Sequence, residues 1–372
     1  MSQNSSRMPL IDALKALAAL LVLMNHFSSY GPLAQAARDY FPGVFNWFFE
    51  YGRMAVQVFL VIAGFLAARG LSAQGQALNS SPLPLIWKRY LRLAVPYLAA
   101  IGLAIMAAAI ADRWMEDDAI PARATFLQWL AHATLLHGLL GFDALSAGVW
   151  YIAIDFQLFA LMAILLWCGR IRFVAPALVL AVATVSLFWF NRDASWDNWA
   201  IYFFGSYGLG TAAWWASDRK QMSAWLGVML TVAIAALVID FRLRIALALG
   251  VALLLGFSRR SGLLEQWPNF RPLAFLGQIS YSVFLVHFPV LLLANTLYAQ
   301  TDYDSSLSTL VWLGLSLSAS IAAATLFFRW IESPEASRRI TMALGWLVGL
   351  LLAAARRVPG IGTLLDLVLR RA

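Results

Sequence analysis

The stretch IDALKALAALLVLMNHF, residues 11–27, is an apolar helix with ionisable residues near both ends. At roughly 100° per residue, the steps from Lys15 to His26 place both side chains on one helical face, and Asp12 falls within about 40° of it. At about 1.5 Å of rise per residue, the Cα atoms of Lys15 and His26 are ~16 Å apart, around half the hydrocarbon thickness of a bilayer. The helix therefore presents a charged cluster near one surface and an imidazole deeper along the same face.

The whole chain has the composition of a membrane protein. Of its 372 residues, 62% are hydrophobic and 12% are charged, and sixteen tryptophans accompany the apolar runs. The net charge of +8 arises from basic residues in short loops between those runs, so we expect no nucleic-acid partner. Cys168 is the single cysteine of the chain, so no intramolecular disulfide can form. Its position inside an apolar run argues against a metal site.

The hydropathy pattern predicts an all-α fold, a polytopic transmembrane helical bundle of about ten spans. The predicted spans are 9–28, 54–71, 89–111, 149–168, 173–190, 199–216, 223–239, 245–257, 274–299 and 306–328. Most basic residues fall in the loops on the N-terminal side of the membrane, which predicts that the N-terminus and the C-terminus are cytoplasmic. The expected location is the inner cell membrane, with several passes.

Two segments are too short or too polar to span. Residues 1–339 are predicted to form the transmembrane domain, and residues 340–372 an interfacial or re-entrant tail that ends in an amphipathic surface helix, LLDLVLRR. Residues 126–141, FLQWLAHATLLHGLLG, are expected at the outer surface beside the mouth of the site. Its His132 and His137 are candidates to line an acceptor groove, with interfacial placement as the alternative.

Several polar residues in or near the spans are candidates for chemistry. Arg89 and Arg92 are neighbours on one helical face and could hold phosphates, although anchoring by the positive-inside rule is the alternative. Asp155 is costly in lipid unless it faces water or a partner, so an internal salt bridge is its structural alternative. Trp150 could stack on a sugar or belong to the aromatic belt.

The ninth predicted span carries Tyr281, Ser282 and His287 in sequence, followed by Pro289, which frees a backbone carbonyl. Ser282 is a candidate nucleophile. A membrane serine more often hydrogen-bonds its own helix or a neighbour, and no G-x-S-x-G setting supports a hydrolase.

Taken together, these motifs resemble the integral-membrane acyltransferase 3 family over residues 10 to about 335, in that family's order. The motifs are Asp12-x-x-Lys15-x10-His26, Val56-x-x-Phe59-x4-Gly64-Phe65, Arg89-x-x-Arg92, Ser280-Tyr281-Ser282-x4-His287-Phe288-Pro289 and Glu332-x-Pro334. The Lys15-x10-His26 element is the most specific of them. Gln57, Ala63 and Asp155 depart from the family's usual acid, serine and glutamate, which puts acceptor choice in question.

The resemblance implies an enzyme that moves an acyl group, most often acetyl, from cytoplasmic acyl-CoA to a hydroxyl of a cell-surface or exported glycan. It implies His26 as the catalytic histidine with Lys15 and Asp12, and Lys15, Arg89 and Arg92 as acyl-CoA contacts. The remaining candidates, for acceptor contact or positioning, are Arg53, Trp150, Asp155, Tyr281, Ser282, His287 and Glu332. Acyl-CoA is then a co-substrate, and no tightly bound cofactor and no metal are expected. Expected partners are the glycan, the bilayer and other glycan-assembly membrane proteins.

Elementary chemistry is consistent with this role. Acyl transfer from a thioester to an alcohol needs a base or a nucleophile, and a stabiliser for the developing oxyanion. A desolvated imidazole at His26 has its charged form disfavoured, so it can accept a proton. Two alternatives are a proton-coupled transporter and a non-catalytic glycan- or lipid-handling membrane protein. A transporter predicts paired broken helices in two related halves, a correspondence that we do not find. The acceptor, the acyl chain and the oligomeric state stay open.

Overall fold

Helices make up the regular structure throughout residues 8–170, 174–218, 222–301 and 305–356, the parts of the chain that the computed structural model describes. The α-helices are α1 Pro9–Phe27, α2 Pro32–Tyr40, α3 Pro42–Tyr51, α4 Val56–Leu71, α5 Leu83–Ala111, α6 Phe126–Ala133, α7 Trp150–Cys168, α8 Val174–Phe188, α9 Ala200–Ala216, α10 Met222–Ile239, α11 Leu243–Ser261, α12 Leu263–Gln266, α13 Arg271–Tyr298, α14 Ser306–Phe327 and α15 Pro334–Arg356. Short 3₁₀ turns occupy Gly52–Ala55, Phe190–Arg192 and Ala194–Trp196, and a π turn occupies Phe328–Glu332. The all-α prediction is confirmed.

Seven segments within the described residues are long and apolar enough to cross a membrane. They are Pro9–Phe27, Pro42–Leu71, Leu83–Ala111, Trp150–Cys168, Val174–Arg192, Arg271–Tyr298 and Ser306–Glu332. The other three predicted spans coincide with α9, α10 and α11, which miss these criteria of length and composition. The count of ten spans and the cytoplasmic termini therefore stay predictions.

Helix α9 lies at the centre of the bundle, packed against α4, α7, α8, α10 and α11. All of its residues except Ile201 are buried. Small residues allow this burial, because a Cβ at Gly210 would overlap the Val61 carbonyl and a Cβ at Gly64 would overlap the Tyr207 carbonyl. Close backbone approach through small residues is the usual basis of helix association in lipid. The α4–α9 pair thus forms the tight core of the fold.

Helices α1 and α13 form the second closely packed pair. A Cβ at Gly277 would overlap the carbonyl of Asp12, near the start of both helices. His26 and His287 meet further along the same pair. The two helices therefore run parallel and in contact from the Asp12 level to the His26 level.

The segment that joins α5 to α7 folds back against the bundle. Tyr90 Oη donates a 2.6 Å hydrogen bond to the carbonyl of Ala133, and the His132 ring lies 6.4 Å from that of Tyr97, in the middle of α5. One side of residues 126–141 thus packs on α5, while Phe126, Leu127 and Leu140 are exposed, and the expected position at the outer surface stays a prediction. His132 finds hydrogen-bond partners within the segment, so this side chain can be buried although the segment is too short to span.

The C-terminal part of the chain continues as one helix, α15, across the predicted domain boundary at residues 339 and 340. It contacts α5 and the π turn Phe328–Glu332. The division into two domains stays a prediction. The expected surface helix at residues 364–371 lies outside the described residues.

We predict that Gly64→Ala and Gly210→Ala each destabilise the protein by about 1–3 kcal/mol, because the added methyl group meets the backbone of the facing helix. Gly102→Ala is the matched control, since a Cβ added at Gly102 would have no neighbouring element within 4 Å. Thermal unfolding of the detergent-solubilised protein measures the difference. Equal unfolding midpoints for all three variants would contradict the close α4–α9 packing.

Candidate active site

Two histidines from the parallel helices α1 and α13 form a direct pair. His26 Nδ1 lies 2.5 Å from His287 Nε2, and the ring centroids are 4.8 Å apart. Both side chains are buried, with 8% of His26 and 1% of His287 exposed. The sequence made both residues candidates, but their contact was not predicted.

The hydrogen bonds of this pair determine which nitrogens carry protons. His287 Nδ1 lies 3.0 Å from the carbonyl oxygen of Val283, which can only accept, so Nδ1 carries the proton. The Nε2 atom of a neutral His287 is then an acceptor, and His26 Nδ1–H donates to it. A neutral His26 consequently has its lone pair on Nε2. An imidazole in this state can take a proton from an incoming group.

Aromatic rings and one loop surround the pair. Tyr30 packs edge-on against His26 with the centroids 5.4 Å apart, and Phe284 lies 6.2 Å from His287. Gly148 has a φ of +80°, and a Cβ there would lie 3.2 Å from His26 Cε1. Glycine at this position lets the loop before α7 pass directly beside the imidazole without strain.

A cluster of charged residues lies toward the beginning of α1. Lys15 interacts electrostatically with Asp12, Arg89, Arg92 and Glu332. Glu332, in the π turn after α14, also accepts a hydrogen bond from Ser282 Oγ. The hydroxyl of Ser282 thus bonds a neighbouring element, as expected of a serine between membrane helices.

Arg89 and Asp155 form an ion pair across α5 and α7. The guanidinium also lies 5.4 Å from the centroid of the Phe159 ring. Asp155 is buried and Arg89 is one-quarter exposed, so the carboxylate has the partner that its depth requires. The pairing agrees with the salt-bridge alternative for Asp155 and leaves the predicted phosphate contact of Arg89 as a proposal.

The other candidates lie around these two groups. Tyr281 Oη donates to the carbonyl of Leu93 at 3.1 Å and so links α13 to α5. Trp150 lies two residues after Gly148, is 37% exposed and stacks on Phe203 at 5.5 Å. Arg53 is exposed in the 3₁₀ turn Gly52–Ala55, which packs on α1. Neither Arg53 nor Trp150 belongs to the charged cluster around Lys15.

Sequence reasoning missed two buried polar arrangements. Gln57 accepts a 2.6 Å hydrogen bond from Ser206 Oγ, which joins α4 to α9. His132 and His137 are buried and stacked with centroids 4.1 Å apart, so neither side chain is exposed at a surface. Their spacing of five residues gave no signal, because the chain turns between them at Leu135, which has a φ of +58°.

Residues 9–329 match the model of the acyltransferase 3 family, described as an acyltransferase domain. The chain belongs to the acyltransferase 3 family. One relative is the peptidoglycan O-acetyltransferase OatA of Listeria monocytogenes, 23% identical over 371 residues, with 88% of this chain and 55% of the relative covered. The chain thus spans about half the length of that relative. No solved structure matches the chain.

The matched region includes six of the seven segments that are long and apolar enough to cross a membrane, and most of the seventh. The family match covers α1, α5 and α13, and therefore both histidines and the charged cluster apart from Glu332, which lies three residues beyond the match.

We predict that Arg89→Gln or Asp155→Asn alone lowers the free energy of unfolding by about 3–5 kcal/mol, since each leaves a largely buried charge without its partner. The double variant is expected to recover much of this loss, because no unpaired charge remains. Thermal unfolding of the wild type, the two single variants and the double variant completes a double-mutant cycle. Additive losses in the double variant would show that the two residues do not depend on each other.

Proposed function

We propose that this acyltransferase is a membrane O-acyltransferase that moves an acyl group, in the first instance acetyl, from acyl-CoA to a hydroxyl of a glycan. The observation that carries the proposal is the His26–His287 pair, which leaves the lone pair of His26 on Nε2. The name of the OatA relative supports acetyl transfer to a glycan as the reaction.

The pair supplies general base catalysis. His26 Nε2 takes the proton of the acceptor hydroxyl as its oxygen attacks the thioester carbonyl carbon. When the tetrahedral intermediate collapses, the C–S bond breaks and the imidazolium returns the proton to the thiolate of CoA. His287 accepts the Nδ1–H of His26 throughout, so it holds the ring and stabilises the positive charge that forms on it.

The charged cluster provides a place for the anionic end of the donor. Lys15 lies on the same face of α1 as His26, and the ~16 Å between their levels suits an extended pantetheine arm. Arg92, which acts electrostatically on Lys15, is the second cation for the anionic end. Arg89 is held by Asp155, so we assign it chiefly to orienting this end of the site. We propose that this end faces the cytoplasm, consistent with the charge distribution of the loops, and that the membrane is the inner cell membrane.

The two alternatives gain no support from these findings. A proton-coupled transporter and a non-catalytic glycan-handling protein would both leave the family match without a role for an acyltransferase domain. Neither explains a neutral imidazole pair with one defined lone pair.

We predict that His26→Ala lowers the rate of acyl transfer at least 10³-fold by removing the base, with little change in the KM for acyl-CoA. Lys15→Gln is expected to raise that KM instead, because it removes a donor contact. Transfer from labelled acetyl-CoA to a glycan in proteoliposomes measures both. Transfer that persists in His26→Ala, or proton-coupled uptake that needs no acyl-CoA, would reject the proposal.

The orienting role of His287 gives a second expectation. His287→Phe should lower kcat about 10²-fold, since nothing accepts the Nδ1–H of His26, whereas His287→Gln keeps an acceptor oxygen and should retain more activity. Single-turnover rates at saturating acyl-CoA measure the difference. Equal losses in the two variants, at equal unfolding midpoints, would exclude the hydrogen bond as the cause.

A further inference from the structure

Three nearly parallel rings lie where the segment between α5 and α7 meets the middle of α5. His132 stacks on His137 at an interplanar angle of 11°, and Tyr97 faces His132 at 16° with the centroids 6.4 Å apart. His132 and Tyr97 are fully buried and His137 is 2% exposed. The mechanism proposed above uses none of these residues.

His132 has a structural role, because both of its ring nitrogens are satisfied within the segment. Nδ1 lies 2.8 Å from the carbonyl oxygen of Gln128, to which it donates, and Nε2 accepts a 3.1 Å hydrogen bond from the Leu145 N–H. These bonds join α6 to the loop that precedes α7. His132 therefore holds the two sides of the segment together.

The polar groups close to His132 lack hydrogen-bond partners among the described residues. Both ring nitrogens of His137, Tyr97 Oη and Ser146 Oγ are buried and make no hydrogen bond to any described residue. Each such group costs about 1–3 kcal/mol if it stays unpaired. Ser146 directly follows Leu145, which is bonded to His132, so the four atoms belong to one region. We call Tyr97, His137 and Ser146 the His137 cluster.

The chemistry of the His137 cluster favours a neutral hydroxyl-bearing ligand. Burial and, to a smaller extent, the nearby His132 together lower the pKa of His137 to about 4, so the imidazole is neutral at pH 7. A neutral imidazole offers one donor and one acceptor, and each hydroxyl group offers both. The cluster contains no charged side chain, which makes it unsuited to the anionic end of acyl-CoA.

The cluster is joined to the imidazole pair by a short stretch of chain. Leu145 bonds to His132, and Gly148 lies beside His26 Cε1. Three residues span at most ~11 Å when fully extended. The loop before α7 therefore connects the His132 ring, on which His137 stacks, to His26 within this length of chain.

The backbone between His132 and His137 contains a strained residue. Leu135 is fully buried with a φ of +58°, a conformation that costs a non-glycine residue about 1–2 kcal/mol. This turn brings His137 back onto His132. A strained turn thus places an imidazole that has no hydrogen-bond partner among the described residues.

We propose that the His137 cluster binds hydroxyl groups of the acceptor sugar and holds the acceptor beside His26. The inference rests on the proposed function and adds to it a site for the acceptor. Water has the same hydrogen-bonding chemistry as a sugar hydroxyl, so the experiment must distinguish an acceptor site from a site that holds water alone.

The test compares Tyr97→Phe, Ser146→Ala and His137→Phe in proteoliposomes, with labelled acetyl-CoA as donor and methyl N-acetyl-β-glucosaminide as acceptor. Each variant is expected to raise the KM for the acceptor about tenfold while the KM for acetyl-CoA stays constant. Tyr90→Phe is the matched control. Its hydroxyl is bonded to Ala133 on the same segment, so its loss should lower the unfolding midpoint without moving the acceptor KM.

Three results would overturn the inference. The first is an unchanged acceptor KM in Tyr97→Phe and His137→Phe together with a raised unfolding midpoint. This result would show that the polar groups of Tyr97 and His137 hold water or nothing. A parallel rise in the acceptor KM of Tyr90→Phe would show a general disturbance of the segment. Absence of transfer by the wild-type protein would instead overturn the proposed function, and the inference with it.

Discussion

The site depends on the contact between the backbones of α1 and α13. Glycine at position 277 lets the two helices touch at the level of Asp12, and their parallel course then brings His26 and His287 within hydrogen-bonding distance. The hydrophobic effect cannot drive helix association within lipid, so such contacts depend on close packing and polar bonds between helices. The same contact therefore joins α1 to α13 and brings the two imidazoles together.

Charged side chains in the bundle obey a second constraint. An ionised group in an apolar setting needs a partner, and the structure supplies one for each of the main candidates. Arg89 pairs with Asp155, Glu332 accepts from Ser282, and Lys15 lies within electrostatic range of both acids and arginines. Pairing reduces the charge available to an anionic donor, so the proposed donor contact centres on Lys15 and Arg92 rather than on both arginines equally.

The segment between α5 and α7 shows how polar residues enter the bundle without spanning it. Its short helix begins with a capping box between Thr125 and Gln128, and its buried histidine bonds to backbone groups of the same segment. Because these groups are satisfied internally, burial costs little for His132. His137, in contrast, remains unpaired among described residues, and this difference separates a structural histidine from one that is available to a ligand.

Local pattern alone determined much of this protein. Apolar periodicity predicts the helices, and the spacing of Lys15 and His26 predicts their shared face, because both follow from the geometry of one helix. The ordered motifs indicated the acyltransferase 3 family, which the family match confirms. Tertiary structure alone decided that His287 is the partner of His26, that Asp155 is the partner of Arg89, and that the end of α6 packs on α5. These outcomes depend on which helices meet and at what level, and an apolar sequence carries the same periodicity whether its face meets lipid or another helix.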